Sequence, residues 1–519
     1  MSRGFYATTP IYYVNAVPHI GHTYTTVAVD TLARYHRLAG ETTYFLTGTD
    51  EHGEKIAEAA TREGVTPQEI ADRYSGAFRE TWEEIGFSYD RFIRTTDADH
   101  QRVVQTILQK VHDAGQIDFR EYEGLYCVGC ERFLTDRDIV DGLCPDHQRP
   151  PEPRRESNYF FKMSEHFEWL TQYIHDHPDF IRPERYRNEV LGMLRDDSGL
   201  GDLSISRPKS RLSWGIELPF DADYVCYVWF DALINYLTAI GYPDGKNFEA
   251  LWANAEHFIG KDILKPHGVF WPCMLHAIGL EPPRHVNVHG YWNVDSQKVS
   301  KSLGNMISPL AMREKYGFDA FRYFLLREMV FGLDSDFSEA ALVGRINADL
   351  ANNLGNLVSR TVNMTGRFCD GKVPPPGSPG EPEGIVSAAA ASAVAKVDEH
   401  LRRNEFHRAL EAIFAFSGEV NRYLEERAPW KVAKEKADGW QEHVEQTLYT
   451  SCEALRIAAL LLAPFLPDTA PKILERLGQP DALAEVRLPE AAAWGGIAVG
   501  APVSKGAPLF PRIELEEAG

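Results

Sequence analysis

Apolar positions along the first hundred residues change their period twice. Residues 5–8 (Phe, Tyr, Ala, Thr) form a short run rich in aromatic and β-branched side chains. Residues 23–38 then place apolar side chains at helical spacing and stop at Gly40, and residues 42–47 return to a strand pattern. Strand, helix and strand in that order predict a βαβ unit, hence a parallel sheet and an α/β fold. Ligands of such sheets bind beyond the carboxyl ends of the strands, so residues 10–22 and 48–52 become candidates on geometry alone. The pattern changes at about Arg120. Residues 120–223 hold a cysteine cluster, a Pro/Arg stretch at 149–155 and an alternating segment at 158–162, and are expected to form an insertion. α/β character resumes at 224–231, 257–260 and 286–291, which predicts that the open sheet is completed after the insertion. Beyond about residue 340 the strand signal ends, and amphipathic patterns cover 341–368, 384–403, 406–427 and 440–462. The Pro/Gly-rich stretch 373–384 cannot continue a helix and is expected to be a loop between two of them. The predicted organisation is an α/β domain in two halves (1–119 and 224–290) around the insertion, a loop and linker region at 291–340, and a helical domain at 341–519.

Size and composition narrow the function classes. A chain of 519 residues is several times the size of one domain, and 44% hydrophobic with 25% charged residues is the make-up of a folded globular protein. The longest apolar stretches, such as residues 458–465, fall far short of the ~18 residues a membrane-spanning helix needs. The first residues show neither an apolar signal region nor an Arg/Ser-rich transit segment, so the expected location is the cytoplasm. With 75 acidic against 54 basic residues, a net charge of -21 argues against a protein that coats nucleic acid non-specifically, and leaves room for a local basic patch. Three of the seven cysteines fall between residues 127 and 144, while Cys226, Cys273, Cys369 and Cys452 are scattered. An odd count clustered in this way points to a metal site in a reducing compartment and not to a disulfide framework.

Three constellations carry candidate chemistry. Pro18-His19-Ile20-Gly21-His22 falls where the first strand should turn into the first helix. Two imidazoles three residues apart there share one side of the first helical turn, where unpaired N–H groups and the helix dipole already favour anions, and Gly21 allows a nucleotide to approach closely. Lys298-Val299-Ser300-Lys301-Ser302 puts two ammonium groups in a small-residue loop able to close on a polyphosphate. Cys127-x-x-Cys130 and Cys144-x-x-His147, with 13 residues between the two halves, supply three thiolates and an imidazole for one tetrahedral zinc ion. All four ligands come from protein, so that zinc is expected to be structural.

The pair His-Ile-Gly-His and Lys-Val-Ser-Lys-Ser resembles the two signatures of class I aminoacyl-tRNA synthetases. The resemblance narrows to the methionyl-tRNA synthetase family through residues 7–15 (ATTPIYYVN), 48–53 (GTDEHG), 227–232 (YVWFDA), 257–263 (HFIGKDI), 289–291 (HGY) and 428–430 (APW), in order from about residue 5 to about 470. It implies a Rossmann-like parallel-sheet catalytic domain with a zinc-binding insertion, followed by an α-helical anticodon-binding domain. The implied activity joins L-methionine to tRNA(Met), with ATP, carrying Mg2+, consumed in forming methionyl-adenylate and pyrophosphate. It assigns His19, His22, Lys298 and Lys301 to catalysis, with Gly21, Gly260 and Asp262 beside the nucleotide. Methionine would be lined by Ile11, Tyr13, Asp50, Trp229, Ala232, Leu233, Tyr236, His267 and Trp271, with Asp50 facing the ammonium. Leu233 and Pro266 stand where some relatives carry other residues. One methyl group is worth only ~1–3 kcal/mol, so the resemblance implies that homocysteine is rejected by cyclisation in the same site.

For the tRNA, the resemblance places Asn356, Arg360, Pro429 and Trp430 at the CAU anticodon, where an aromatic ring can stack on an unstacked base. Lys431, Lys434 and Lys436 can offset the net negative charge nearby. Family members carry one or two metal sites, and this chain has ligands for one. It is expected to act as a monomer without a membrane. Three other readings stay open on sequence: a class I synthetase for another amino acid, a related nucleotidyltransferase, which has no need of the helical domain, and a non-catalytic tRNA-binding protein, which needs neither His19 nor Lys301.

Overall fold

The computed structural model describes residues 4–128, 132–134, 139–145, 148–195, 199–294, 297–298, 305–484 and 486–514. They divide into two compact units, one of residues 4–29 and 44–290, the other of residues 30–43 and 291–514.

The first unit is built on a six-stranded sheet. Its strands are β1 (Gly4–Tyr13), β2 (Thr42–Asp50), β3 (Arg91–Arg94), β4 (Ile181–Arg182), β5 (Ala255–Gly260) and β6 (His285–His289), in the order β3-β2-β1-β5-β6-β4. Pairing is parallel between β2 and β3, β1 and β5, β5 and β6, and β6 and β4. Phe5 through Thr9 are buried in succession, as a strand covered on both faces requires, and helix α1 (Ile20–Leu38) returns the chain from β1 to β2. Strand order reverses between β1 and β5, so the crevice at the carboxyl ends of these two strands is the ligand position such a topology offers.

The insertion forms antiparallel sheets of its own. Arg132–Leu134, Ile117–Cys127, Glu152–Phe161 and Leu203–Ser204 make one, and Glu217–Leu218, Asp221–Cys226 and Ser206–Pro208 make another. Residues 224–231, expected to resume the open sheet, do something else. Tyr224 and Cys226 pair antiparallel with Pro208 and Ser206, and the chain then turns helical over Val228–Leu233. A β-branched and aromatic run signals a strand without saying which sheet it joins, and Asp231 in the first turn favours a helix start over further strand. One core cluster runs from Tyr6, Leu46 and Ile93 through Leu233, Tyr236 and Trp271 to Val288.

The second unit is mostly helical. Residues 291–340 hold short strands at Trp292–Val294, Gln297–Lys298 and Ser335–Phe337, and helices at Pro309–Tyr316 and Phe318–Glu328. Beyond them the chain continues through Glu339–Arg345, a π-helical stretch Ile346–Gly355, Asn356–Phe368, Glu381–Arg402, Phe406–Arg427, Pro429–Glu435, Trp440–Leu462 and Thr469–Arg476. Residues 447–462 of Trp440–Leu462 are buried without a break, because this helix packs against Asn356–Phe368, Glu381–Arg402 and Phe406–Arg427. The loop expected at 373–384 ends earlier: Pro382 lies in the first turn of Glu381–Arg402, where its missing N–H costs no hydrogen bond. Arg322 is fully buried, with Asp30 at 2.6 Å, Thr31 at 3.1 Å and the carbonyls of Pro464 and Phe465 at 3.0 Å. Such a charge is tolerable because its donors are met.

Candidate active site

The nucleotide end lies where β1 gives way to α1. The carbonyl of His19 accepts the Thr23 N–H at 3.0 Å, and its Nδ1 accepts the Gly21 N–H at 3.1 Å. With the Nδ1 lone pair engaged, the neutral ring carries its proton on Nε2. The His22 ring lies 3.9 Å from that of His19 and packs on Tyr12 and Phe78 at 4.8 and 5.2 Å. Its Nδ1 is buried and finds no hydrogen-bond partner among the described residues. Burial lowers His19 to about 4, and burial with the neighbouring His19 pushes His22 well below the ordinary histidine value. At neutral pH both are uncharged rings able to donate an N–H. A Cβ at Gly21 would sit 3.1 Å from His19 Cε1, so a side chain there would press on the ring and fill the approach.

Across the switch point, Gly260 ends β5, and a Cβ there would come 2.5 Å from Asp262 Oδ1, so glycine lets that carboxylate fold back over the strand end. His289 ends β6. Its Nδ1–H donates to the Gly290 carbonyl at 2.7 Å, which leaves Nε2 to accept the Thr25 hydroxyl at 2.7 Å and ties this strand to the first turns of α1.

The proposed amino-acid end is assembled from six elements, two of which, Asn235–Thr238 and Trp271–Ala277, bring Tyr236 and Trp271. Ile11 and Tyr13, two apart on β1, are partly buried against the same core as Leu233, Tyr236 and Trp271. Trp229, Ala232 and Leu233 share one face of Val228–Leu233. Asp50 closes β2 at 7% exposure, and its carbonyl accepts the Val14 N–H at 3.2 Å, joining the ends of β2 and β1. A π turn at Pro266–Phe270 presents His267. His267 Nδ1–H donates to the Ile263 carbonyl at 2.9 Å, so the Tyr236 hydroxyl donates to its Nε2 at 2.8 Å.

Sequence reasoning missed the group that holds this wall together. His257 is fully buried, stacks on Tyr236 at 4.0 Å, accepts the Trp271 indole N–H at 3.1 Å, and turns its Nδ1–H to Thr8 Oγ1 at 2.8 Å. Its place in the 257–263 segment was the only signal.

Burial pushes His267 and His289 down to about 4. A histidine whose folded value lies below its unfolded one takes up its proton only on unfolding, so it contributes full stability above about pH 6.5 and loses it as pH falls towards 4. Each of the two is expected to cost about 2 kcal/mol between pH 7 and pH 5. The urea midpoint should fall across that window; a midpoint that stays level would contradict the buried neutral rings.

The remaining candidates come from other parts of the chain. Lys298 ends the short strand Gln297–Lys298 in the second unit, and Lys301 lies outside the described residues. Cys127 and Cys144 are buried together with Leu134 in a small cluster, while Cys130 and His147 lie outside the described residues. In the second unit the Arg360 guanidinium stands over the Trp430 ring at 5.0 Å and pairs with Glu425 at 2.7 Å. Asn356 is exposed one helical turn before Arg360, and Pro429 is the buried first residue of Pro429–Glu435.

Comparison with known proteins gives the family. The family model for class I tRNA synthetases (M) matches residues 5–150 and 146–362, and that for the anticodon-binding domain of methionyl tRNA ligase matches residues 373–518. The methionine–tRNA ligase of Deinococcus radiodurans is 47% identical over 99% of this chain and 75% of its own length. That of Streptomyces coelicolor is 42% identical over 100% of this chain and 98% of its own. The structure of Mycobacterium tuberculosis methionyl-tRNA synthetase in complex with methionyl-adenylate superposes with a TM-score of 0.93 at 41% identity, covering 99% of this chain and 100% of that one. A parallel sheet with paired imidazoles at its switch point, a mostly helical second unit, and relatives 42% and 47% identical over nearly the whole of this chain place the chain in the methionyl-tRNA synthetase family of class I aminoacyl-tRNA synthetases.

Proposed function

We propose that the crevice beyond β1 and β5 activates L-methionine with ATP and that the activated amino acid then passes to tRNA(Met), for initiation and elongation alike. In the first step a methionine carboxylate oxygen attacks the α-phosphorus of ATP, the bond to the β-phosphate oxygen breaks, and pyrophosphate leaves. In the second a terminal ribose hydroxyl of the tRNA attacks the acyl carbon and AMP leaves. The single observation that carries this reading is the pair of uncharged imidazoles at the start of α1, their ring centres 3.9 Å apart, with a buried Nδ1 still to be satisfied. Their N–H groups would meet charge developing on the triphosphate without having to shed a proton first. Gly21 and Gly260 would admit the nucleotide backbone, Asp262 the ribose, and Lys298 and Lys301 the departing pyrophosphate. Mg2+ bound with ATP would neutralise phosphate charge. Asp50 would pair with the ammonium while Ile11, Tyr13, Trp229, Ala232, Leu233, Tyr236, His267 and Trp271 enclose the thioether. The enzyme is proposed to work as a monomer in the cytoplasm.

Zinc would be held by Cys127, Cys130, Cys144 and His147. Two observations fit a knuckle of this kind. The register Cys127↔Arg132 brackets Cys130 in the chain, and the Gln148 N–H bond to the Cys144 carbonyl at 2.8 Å brackets His147. Because the ion would organise the insertion and not touch substrate, Cys144→Ser should abolish bound zinc and lower the unfolding temperature, while leaving methionine Kd of the folded protein within about twofold. Metal analysis with calorimetry checks this; an intact fold that has lost methionine affinity would point to zinc at the substrate. The proposed function as a whole is tested by charging. Methionine should be transferred to a tRNA bearing CAU, and transfer should drop sharply when that anticodon is changed.

A further inference from the structure

A buried carboxylate between two imidazoles links the two sides of the proposed methionine pocket. Asp231 is fully buried, with Oδ2 at 2.6 Å from His52 Nδ1 and Oδ1 at 2.8 Å from His100 Nε2. His52 stands two residues beyond Asp50. Asp231 stands two beyond Trp229 and immediately before Ala232 and Leu233. His100 comes from a third element, the helix Ala98–Asp113, and its Nδ1 lies 3.2 Å from Thr238 Oγ1. The His52 ring rests 5.3 Å from Trp214, whose indole N–H donates to the Glu51 carbonyl at 2.6 Å, so the backbone leading from Asp50 to His52 is held on both sides. Burial pushes the Asp231 carboxyl up, but the two imidazoles outweigh it and hold the group below its ordinary value. An ionised carboxylate with an N–H donor on each oxygen is constrained in two directions at once, which makes it a rigid strut and not a loose contact.

We propose that Asp231 is a positioning residue which, through His52, sets the separation between the Asp50 carboxylate and the wall formed by Trp229, Ala232 and Leu233. That separation matches ammonium to side-chain end in methionine and disfavours longer homologues. The proposal rests on the reading of this pocket as the methionine site.

The test is ATP–pyrophosphate exchange on the full-length enzyme, with rates expressed per active site counted from the burst of adenylate. In Asp231→Asn the amide cannot accept from both imidazoles. The methionine KM should rise about tenfold or more, the preference for methionine over ethionine should narrow, kcat should stay within about threefold, and the ATP KM should not move. A merely structural role would reduce the number of active sites and leave the KM and selectivity of the survivors as they were. His52→Asn places an amide nitrogen where Nδ1 stood and should keep the parental KM, whereas His52→Leu should not; this pair carries the test if Asp231→Asn does not fold. Parental KM and selectivity in Asp231→Asn, or equal behaviour of the two His52 variants, would overturn the proposal. Asp50→Asn separates the two levels: if it leaves the methionine KM unchanged, the pocket reading itself fails.

Discussion

A His19→Ala enzyme is expected to form adenylate about 10²–10³ times more slowly than the parent while binding methionine as before. The reasoning starts from the proton. Because Nδ1 of His19 accepts the Gly21 N–H, the neutral ring has its single N–H at Nε2, fixed in direction by the turn that opens α1. A preorganised donor aimed at developing negative charge in a partly closed site is worth ~2.7–4 kcal/mol of transition-state stabilisation, which corresponds to the stated loss of rate. Methionine, by contrast, is proposed to lie against Asp50, Trp229 and Tyr236, none of which His19 orients. Single-turnover adenylate formation together with equilibrium methionine binding checks both halves. A parallel loss of rate and affinity would mean that His19 supports the fold of the crevice and not the reaction.

The second large effect belongs to the helical unit. Trp430→Ala should lower kcat/KM for tRNA charging by about 5- to 150-fold, the equivalent of one base–aromatic stack at ~1–3 kcal/mol, with exchange in the absence of tRNA unaltered. Ala428 adopts φ 40, Pro429 is buried at the first turn, and the Arg360 guanidinium holds one face of the Trp430 ring at 5.0 Å. The ring is thus anchored by its own backbone turn and by Arg360, which Glu425 holds in turn at 2.7 Å. Measuring charging and exchange on the same preparation separates the two sites. If exchange fell as far as charging, Trp430 would be a packing residue.

What could be read before the structure depended on how local the determinant is. β1, α1 and β2 follow from short-range period, and the helices Phe406–Arg427 and Trp440–Leu462 begin and end where the amphipathic pattern does. The imidazole pair was visible because its two members lie three residues apart, whereas one member of each cysteine-containing pair, Cys130 and His147, lies outside the described residues. Tyr224–Cys226 was legible as strand but not as part of the small antiparallel sheet, since its partners Pro208 to Ser206 lie beyond any local period. The buried polar contacts were the least legible part of the site. His52 meets Asp231 across 179 residues and His257 meets Thr8 across 249, and a single buried hydrogen-bonding side chain carries no periodic signal at all. The π turn that presents His267 likewise depends on packing and not on composition. His19 differs from expectation in a useful way: it precedes the helix and accepts the Gly21 N–H through Nδ1, so the two imidazoles meet at 3.9 Å with their planes tilted by 31° instead of standing side by side on a helical face.

The central claim is that the crevice at the ends of β1 and β5 activates methionine. The most direct test is ATP–pyrophosphate exchange with each of the twenty amino acids in turn, without tRNA. Exchange supported by methionine alone is the predicted result. Exchange strongest with another amino acid, or none with any, would contradict it.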